Sequence, residues 1–225
     1  MNKLLLLPIL VTLAGLQAAA QVPNAGLSLA ITQARQQNAT LMQQYSWNCR
    51  TELTEYGTVK DTRIDTVTWG PNNQPQYTIL NDIQNPLPRG FFRRRIAENE
   101  RQQTEQFITG LRTFLHQYTL PSAGQMLNFI SSAAIPPPDA NGVLQLTGGS
   151  VVVPDDSVSL WISAPTKATR RMTIMTSYQG HSVSVTATWK MLANGLNYMA
   201  YAQINVPDEG MILTVQNYDY INQDL

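Results

Sequence analysis

The alternation of hydrophobic and polar positions is clearest in the last third of the chain. In residues 182–191 the odd positions, from Val183 to Met191, are apolar, and the even positions are hydroxylated or charged. Successive side chains of a strand point to opposite faces, so this segment predicts a strand with one buried and one solvated face. Similar runs continue from residue 157 to residue 220, separated by turn signals such as Asn194-Gly195. The pattern therefore predicts an antiparallel β-meander.

The same alternation predicts about ten strands over the whole chain. They span residues 45–56, 59–69, 76–80, 143–147, 150–153, 157–163, 168–178, 182–191, 196–206 and 211–220. Apolar positions at three- and four-residue spacing predict helices at residues 25–44, 92–118 and 121–131. An open sheet of this size tends to curl, and its apolar face needs a cover. We therefore expect an α+β fold: a curved antiparallel sheet (a half-open β-barrel) covered on its concave face by helices.

Residues 1–20 read as a cleavable signal peptide. Lys3 is followed by an apolar run over residues 4–16 and by the Ala-rich site at residues 18–20, which predicts cleavage before Gln21. No cysteine stands at the cleavage point, so a lipoprotein anchor is not expected, and no later apolar run is long enough to span a bilayer. The expected location is periplasmic or secreted. Residues 21–225 are then expected to form one domain, with Pro136-Pro137-Pro138 as a stiff crossover.

Cys49 is the single cysteine of the chain. An internal disulfide is therefore impossible, which leaves an intermolecular bridge, a reactive thiol or a buried core position. Cys49 shares one predicted strand face with Trp47, Thr51 and Leu53, and cysteine is among the most buried residue types. This placement favours the core position.

Charge gives little support to nucleic-acid binding, because 15 Lys and Arg balance 15 Asp and Glu. The exception is residues 89–95, where four arginines surround Phe91 and Phe92. Arg93, Arg94 and Arg95 are candidates for contact with an anionic membrane surface, because cations and aromatic rings together suit the lipid interface. The alternative is a solvated helix end with an Arg94–Glu98 pair of four-residue spacing.

The sequence contains few candidate catalytic residues. The two histidines, His116 and His181, belong to no zinc-protease or nucleophile-elbow motif. Two acidic pairs, at residues 155–156 and 208–209, lie in predicted turns, where Asp is expected for local hydrogen bonding. We therefore expect no enzyme activity, no metal and no cofactor; a hydrolase would require a histidine beside a nucleophile in a cleft.

The order of elements resembles the periplasmic lipoprotein-carrier (LolA/LolB-like) superfamily. The resemblance rests on a signal peptide, an N-terminal helix, a first hairpin, a central helical insertion and a long closing meander over residues 24–220. Residues 45–47, 69–71 and 93–98 are also similar to a group of uncharacterised secreted bacterial proteins, which implies no activity. The carrier resemblance implies a hydrophobic cavity for acyl chains between the sheet and the helices.

Two functions remain open from the sequence. The first is non-catalytic binding of a hydrophobic ligand, an acyl chain or lipid, in the cell envelope. Its candidate contacts on the apolar sheet face are Trp189, Met191, Tyr198, Ala200 and Met211. The second is a protein-interaction or envelope-scaffold module whose core is filled. An empty apolar pocket of several hundred Å3 favours the first function, and a packed interior favours the second.

Overall fold

A computed structural model describes residues 25–71, 74–84, 86–87, 89–119 and 122–223. The predicted signal peptide lies outside these residues. The helices are α1 (Ala25–Met42), α2 (Phe91–Thr119) and α3 (Ala123–Ser132). The strands are β1 (Tyr45–Glu55), β2 (Thr58–Trp69), β3 (Pro75–Gln84), β4 (Val143–Gly149), β5 (Ser157–Ser163), β6 (Thr169–Tyr178), β7 (His181–Met191), β8 (Asn197–Val206) and β9 (Met211–Asn222).

All nine strands form one antiparallel sheet in the order β3-β2-β1-β9-β8-β7-β6-β5-β4. The last strand, β9, pairs with β1 and so joins the N-terminal meander to the C-terminal one. Strands β3 and β4 are the two edges, so the sheet is curved and open. The predicted fold class is therefore confirmed as an α+β fold with a helical cover.

One row of directly paired side chains crosses the whole sheet and changes from apolar to polar along its length. Directly paired residues project from the same face. From β4 to β3 the row contains Leu146, Leu160, Met172, Ala187, Ala202, Val215, Thr51, Arg63 and Asp82. The first five residues of this row are buried, whereas Asp82 at the β3 end is exposed. The apolar half of the face therefore runs from β4 to β9, and the polar half from β1 to β3.

The helices cover the apolar half of this face. Ile31 of α1, Leu111 of α2 and Ile130 of α3 are fully buried in one cluster with side chains from β4 to β9. Burial of a side chain of this size stabilises the fold by about 1.5–3 kcal/mol. On the polar half, Arg63 instead pairs with the buried carboxylate of Asp65 at 2.8 Å.

The prediction of a strand at residues 150–153 is wrong, and the described residues form a sheet of nine strands. The segment bends because the Asp156 carboxylate accepts hydrogen bonds from the backbone N–H groups of Val151, Val152 and Val153, at 2.8, 2.8 and 3.1 Å. Those donors are therefore not available to a neighbouring strand. By contrast, β3 was predicted to end at residue 80 but is longer, because its pairing with β2 continues to Gln84.

Gly148 in β4 sets how closely α3 approaches the sheet. A Cβ at this position would lie 3.1 Å from the Phe129 ring and 3.4 Å from the Ala133 Cα. We expect Gly148→Val to lower the free energy of unfolding by about 1–3 kcal/mol, because the ring and the end of α3 must move. Urea titration measures this change. Gly124→Ala, whose nearest neighbour is the Ser122 Oγ at 4.0 Å, is the control and should cost nothing. Equal stability of Gly148→Val and the unmodified protein would contradict the close approach.

Candidate functional site

All three helices and the sheet meet around one small internal pocket. Its lining residues are Arg35, Tyr118, Met126, Phe129, Val151, Val158, Leu160 and Met172. The pocket volume is about 10 Å3. That volume is close to the minimum for a single water molecule and far below the several hundred Å3 of a typical ligand site. In this conformation the interior is therefore packed at the place where the three helices meet the sheet.

Arg35 is the unusual member of this lining. It stands one helical turn after the buried Ile31, so both side chains project from the same face of α1. Its Nη1 atom is buried and has no hydrogen-bond partner within the described part of the protein. Burial lowers the pKa of Arg35 to about 10, so the guanidinium remains a cation at neutral pH. Arg35 as a whole is half-buried, so the pocket contains a partly buried cation with which no described carboxylate pairs.

The wall beside Arg35 is fixed by Tyr118 and Asp156. The Tyr118 hydroxyl donates to the Asp156 carboxylate at 3.0 Å and lies 3.0 Å from the Thr176 hydroxyl. Burial raises the pKa of Tyr118, so its hydroxyl stays protonated as a donor. Burial by itself would raise the pKa of Asp156, but three backbone N–H groups and the Tyr118 hydroxyl together lower it. The Asp156 carboxylate therefore accepts local hydrogen bonds, as predicted for an Asp in a turn, and its lowered pKa does not suit a general base.

The other side of the pocket is covered by α3. This helix of 10 residues begins with a capping box formed by Ser122 and Gln125, and it buries Met126, Phe129 and Ile130. Just after its end, Ala134 exchanges two backbone hydrogen bonds with Thr147 of β4, at 2.8 and 3.1 Å. An isolated helix of this length is marginal in water, so α3 depends on these contacts for its position.

The residues expected to contact ligand are spread over three strands: Trp189 and Met191 in β7, Tyr198 and Ala200 in β8, and Met211 in β9. None of them lines the pocket around Arg35. Met211 pairs with Val206, eight residues along β8 from Tyr198, which places Met211 and Tyr198 about 27 Å apart. The structure therefore does not bring the five residues together. Ligand contact at each of them stays a prediction.

Several of these five residues take part in ordinary packing. Tyr198 packs against Tyr220, with ring centroids 4.3 Å apart, and Trp189 packs against the core. Met211 and Ala200 are buried, whereas Met191 is 39% exposed. The predicted membrane-contact residues lie elsewhere, in the first turns of α2: Arg93, Arg94 and Arg95.

The two histidines and the cysteine lie in three different elements, α2, β7 and β1. The His181 Nδ1 lies 3.2 Å from the Glu209 carboxylate, and His116 is exposed in the last turn of α2. Cys49 is a buried free cysteine, and burial raises the pKa of its thiol. Across the residues that the structure describes, no group of His, Cys, Asp and Glu is placed to hold a metal ion. Nor is any described helix both long and apolar enough to cross a membrane.

Comparison with known proteins returns similar structures but no matching sequence family. No protein-family model matches the chain, and no curated protein matches it. A LolA superfamily protein from Nitrosomonas europaea is 12% identical and aligns over 88% of this chain and 94% of its own, with a TM-score of 0.38. A DUF1329 family protein from Desulfovibrio piger is 7% identical over 88% of this chain and 92% of its own, with a TM-score of 0.47.

A protein of the LolA superfamily, the group that the order of elements resembles, is thus among the structures to which this chain is similar. At such low identities and TM-scores, neither structure carries an argument about the function of this chain. The class of protein defined so far is therefore an α+β protein with a helix-covered open sheet. Its function has to be argued from its own residues, above all from Arg35. Sequence reasoning missed Arg35, although its position four residues after Ile31 was a usable signal.

Asp156 offers a test of the pocket wall through stability. Asp156→Asn removes the negative charge to which three N–H groups and Tyr118 donate, and should lower the free energy of unfolding by about 1.5–3 kcal/mol near neutral pH. The pKa of Asp156 is lower in the folded state than in the unfolded state. Its contribution is therefore complete above the unfolded value of about 4 and is lost as the pH falls through the folded value.

Urea titrations between neutral and strongly acid pH measure this effect. The stability difference between the unmodified protein and Asp156→Asn should narrow as the pH falls. The neighbouring exposed residue provides the control, Asp155→Asn, which should change stability little because asparagine also tolerates the positive φ of 63° there. A difference for Asp156→Asn that does not vary with pH would contradict this account.

Proposed function

We propose that this is a non-catalytic cell-envelope protein that binds a hydrophobic ligand, an acyl chain or lipid, between the sheet and the helices. The observation that carries the proposal is the buried Nη1 of Arg35, which has no hydrogen-bond partner among the described residues and lies beside the apolar side chains of Met126, Phe129 and Leu160. The envelope location rests on the predicted signal peptide of residues 1–20.

The chemistry of the pocket suits an amphiphile with an acid head group. Apolar walls favour an acyl tail, and two lining methionines, Met126 and Met172, are flexible enough to repack around tails of different shape. A buried guanidinium favours a carboxylate or phosphate, because charge-assisted hydrogen bonds are short and strong. A buried charge without a partner costs free energy, so a ligand that supplies the missing acceptor gains affinity from the same group.

Binding requires the packed interior to open. The pocket of about 10 Å3 cannot hold an acyl chain, so side chains must leave before one enters. The smallest covering element is α3, whose Met126 and Phe129 line the pocket and whose end is joined to β4 at Ala134 and Thr147. Movement of α3 away from the sheet would vacate the space between Arg35 and the apolar face. The described structure is then the closed form.

A disulfide between α3 and β4 tests this opening. Ala134 and Thr147 exchange both backbone hydrogen bonds, a pairing with Cα atoms about 5.5 Å apart, which suits a disulfide. Ala134→Cys with Thr147→Cys, made together with Cys49→Ser, should bind a fluorescent fatty acid at least about tenfold more weakly when oxidised than when reduced, because the open form becomes rare.

Fluorescence titration before and after reduction measures the change, and Cys49→Ser alone is the control that should bind normally. Equal affinity in the oxidised and reduced states would show that α3 does not need to move. Absence of uptake by the unmodified protein would contradict ligand binding itself.

Arg35 is tested by comparing two ligands that share one tail. Arg35→Met should weaken binding of a fatty acid by about 10–100-fold and leave binding of the matching fatty alcohol nearly unchanged, because one charged hydrogen bond is lost. The folded protein should be equally or more stable, since a buried cation without a partner is removed. Isothermal titration and urea unfolding measure both effects.

The control for this pair is Arg112→Met on α2, an exposed residue whose guanidinium donates to the Thr51 hydroxyl at 3.4 Å. Its fatty-acid affinity should equal that of the unmodified protein. An equal loss of affinity for acid and alcohol in Arg35→Met would assign Arg35 to packing and not to recognition of the head group.

A second candidate function is favoured by one observation, the packed interior. A pocket of about 10 Å3 where the helices meet the sheet fits the filled core of an envelope scaffold or protein-interaction module. This candidate predicts no uptake of any acyl ligand and a protein partner recovered by crosslinking. The fatty-acid titration of the unmodified protein separates the two functions.

A further inference from the structure

We propose that the corner between the end of β3 and the start of α2 docks the protein onto a membrane surface rich in anionic phospholipid. This basic corner consists of Arg89 and the first turns of α2, from Phe91 to Ile96, together with the adjoining groove. It lies on the bare edge of the sheet, far from the pocket around Arg35.

The apolar part of the corner is unusually exposed. Phe91 and Phe92 are 73% and 80% exposed, and their rings pack edge to face on each other at 5.5 Å. Ile96 follows Phe92 by one turn, so the two side chains share one face of α2, and Ile96 is also exposed. Soluble proteins seldom leave such groups in water unless the surface binds something.

The charge of the corner is positive. Arg93, Arg94 and Arg95 occupy the first turn and a half of α2, which has no acidic residue in its first turn. Arg94 pairs with Glu98 at 2.8 Å, but both side chains are largely exposed, so this ion pair neutralises little of the charge. The amino terminus of α2 adds its own partial positive charge. Such a helix start is unfavourable unless an anion lies against it.

A groove beside these arginines has the size for a phosphate head group. It is an open depression of about 550 Å3 lined by Arg89, Arg94 and Arg101, with Gln84, Pro86, Leu87 and Gly90. The Arg101 guanidinium is held toward the groove by a hydrogen bond of 2.7 Å to the Gln84 side chain. Three guanidinium groups around one depression match the charge of a lipid phosphate.

The combination favours a bilayer over another copy of this chain. Aromatic rings that enter the interface and arginines that contact head groups are the two features of peripheral membrane binding. A second copy docked through the same corner would instead bring its own Arg93, Arg94 and Arg95 against these. The balanced charge of the whole chain, 15 cations and 15 anions, means that the attraction is local to this corner.

Vesicle flotation tests the proposal, with the processed protein and vesicles of phosphatidylglycerol and phosphatidylcholine or of phosphatidylcholine alone. The unmodified protein should bind only the anionic vesicles, and high salt should weaken binding. The triple variant Arg93→Gln, Arg94→Gln and Arg95→Gln should bind on the order of 100-fold more weakly, since each arginine contributes about fivefold. The variant Phe91→Ser with Phe92→Ser should also bind more weakly, but with unchanged salt dependence.

The matched control removes three exposed cations elsewhere: Lys60→Gln, Arg170→Gln and Lys190→Gln. It carries the same net charge as the arginine variant and should retain most of the binding. Equal loss in both triple variants would overturn the proposal, because general charge would then explain the binding. Failure of the unmodified protein to bind anionic vesicles at low salt would also overturn it. The proposal would also be overturned if the protein did not bind vesicles but self-associated in sedimentation experiments, and if this self-association required Phe91 and Phe92. None of these outcomes depends on uptake of a ligand.

Discussion

The pairing of β9 with β1 is the contact on which the rest of the structure depends. It joins strands at opposite ends of the chain, with Thr51 opposite Val215 in the row that crosses the sheet. Without this pairing, β1 to β3 would be a three-stranded ribbon with a largely polar face and little to bury. The pairing also leaves β3 as an edge. Because α2 begins just beyond the end of β3, the basic corner lies at that edge.

The change from apolar to polar side chains at this junction decides where the helices lie. They cover the face from β4 to β9, and all three converge on the pocket at Arg35. Two physical demands oppose each other there. Close packing excludes water and ligand, whereas a buried guanidinium requires an acceptor. The closed form that we propose, which opens at α3 to admit an acid-headed chain, would meet both demands. A scaffold whose core is permanently filled would leave the guanidinium without an acceptor.

Local periodicity was enough to predict most of the sheet. The alternation from Val183 to Met191 follows from strand geometry alone, and β7 has the predicted buried face at Val183, Val185 and Ala187. The prediction at residues 150–153 was wrong because a side chain beyond the segment, Asp156, accepts its backbone hydrogen bonds. Nothing in the run of valines reveals that competition.

The site was harder to predict than the fold. A search for apolar stripes passes over Arg35, because the pattern counts only hydrophobic positions on the helix face. The volume of the pocket depends on how α3 interlocks with β4 at Gly148, a contact between segments that no local pattern links. The candidate ligand residues were chosen from one strand face, and that face extends about 27 Å from Tyr198 to Met211, so it cannot define one small site.

Native mass spectrometry of the protein purified from its producing cells without detergent is the most decisive test for a bound ligand. We expect a bound acyl-chain species with an acid head group, which disappears on delipidation and returns when fatty acid is added. A protein that carries no ligand when isolated, and whose mass does not change on incubation with fatty acid, would contradict the proposed ligand binding.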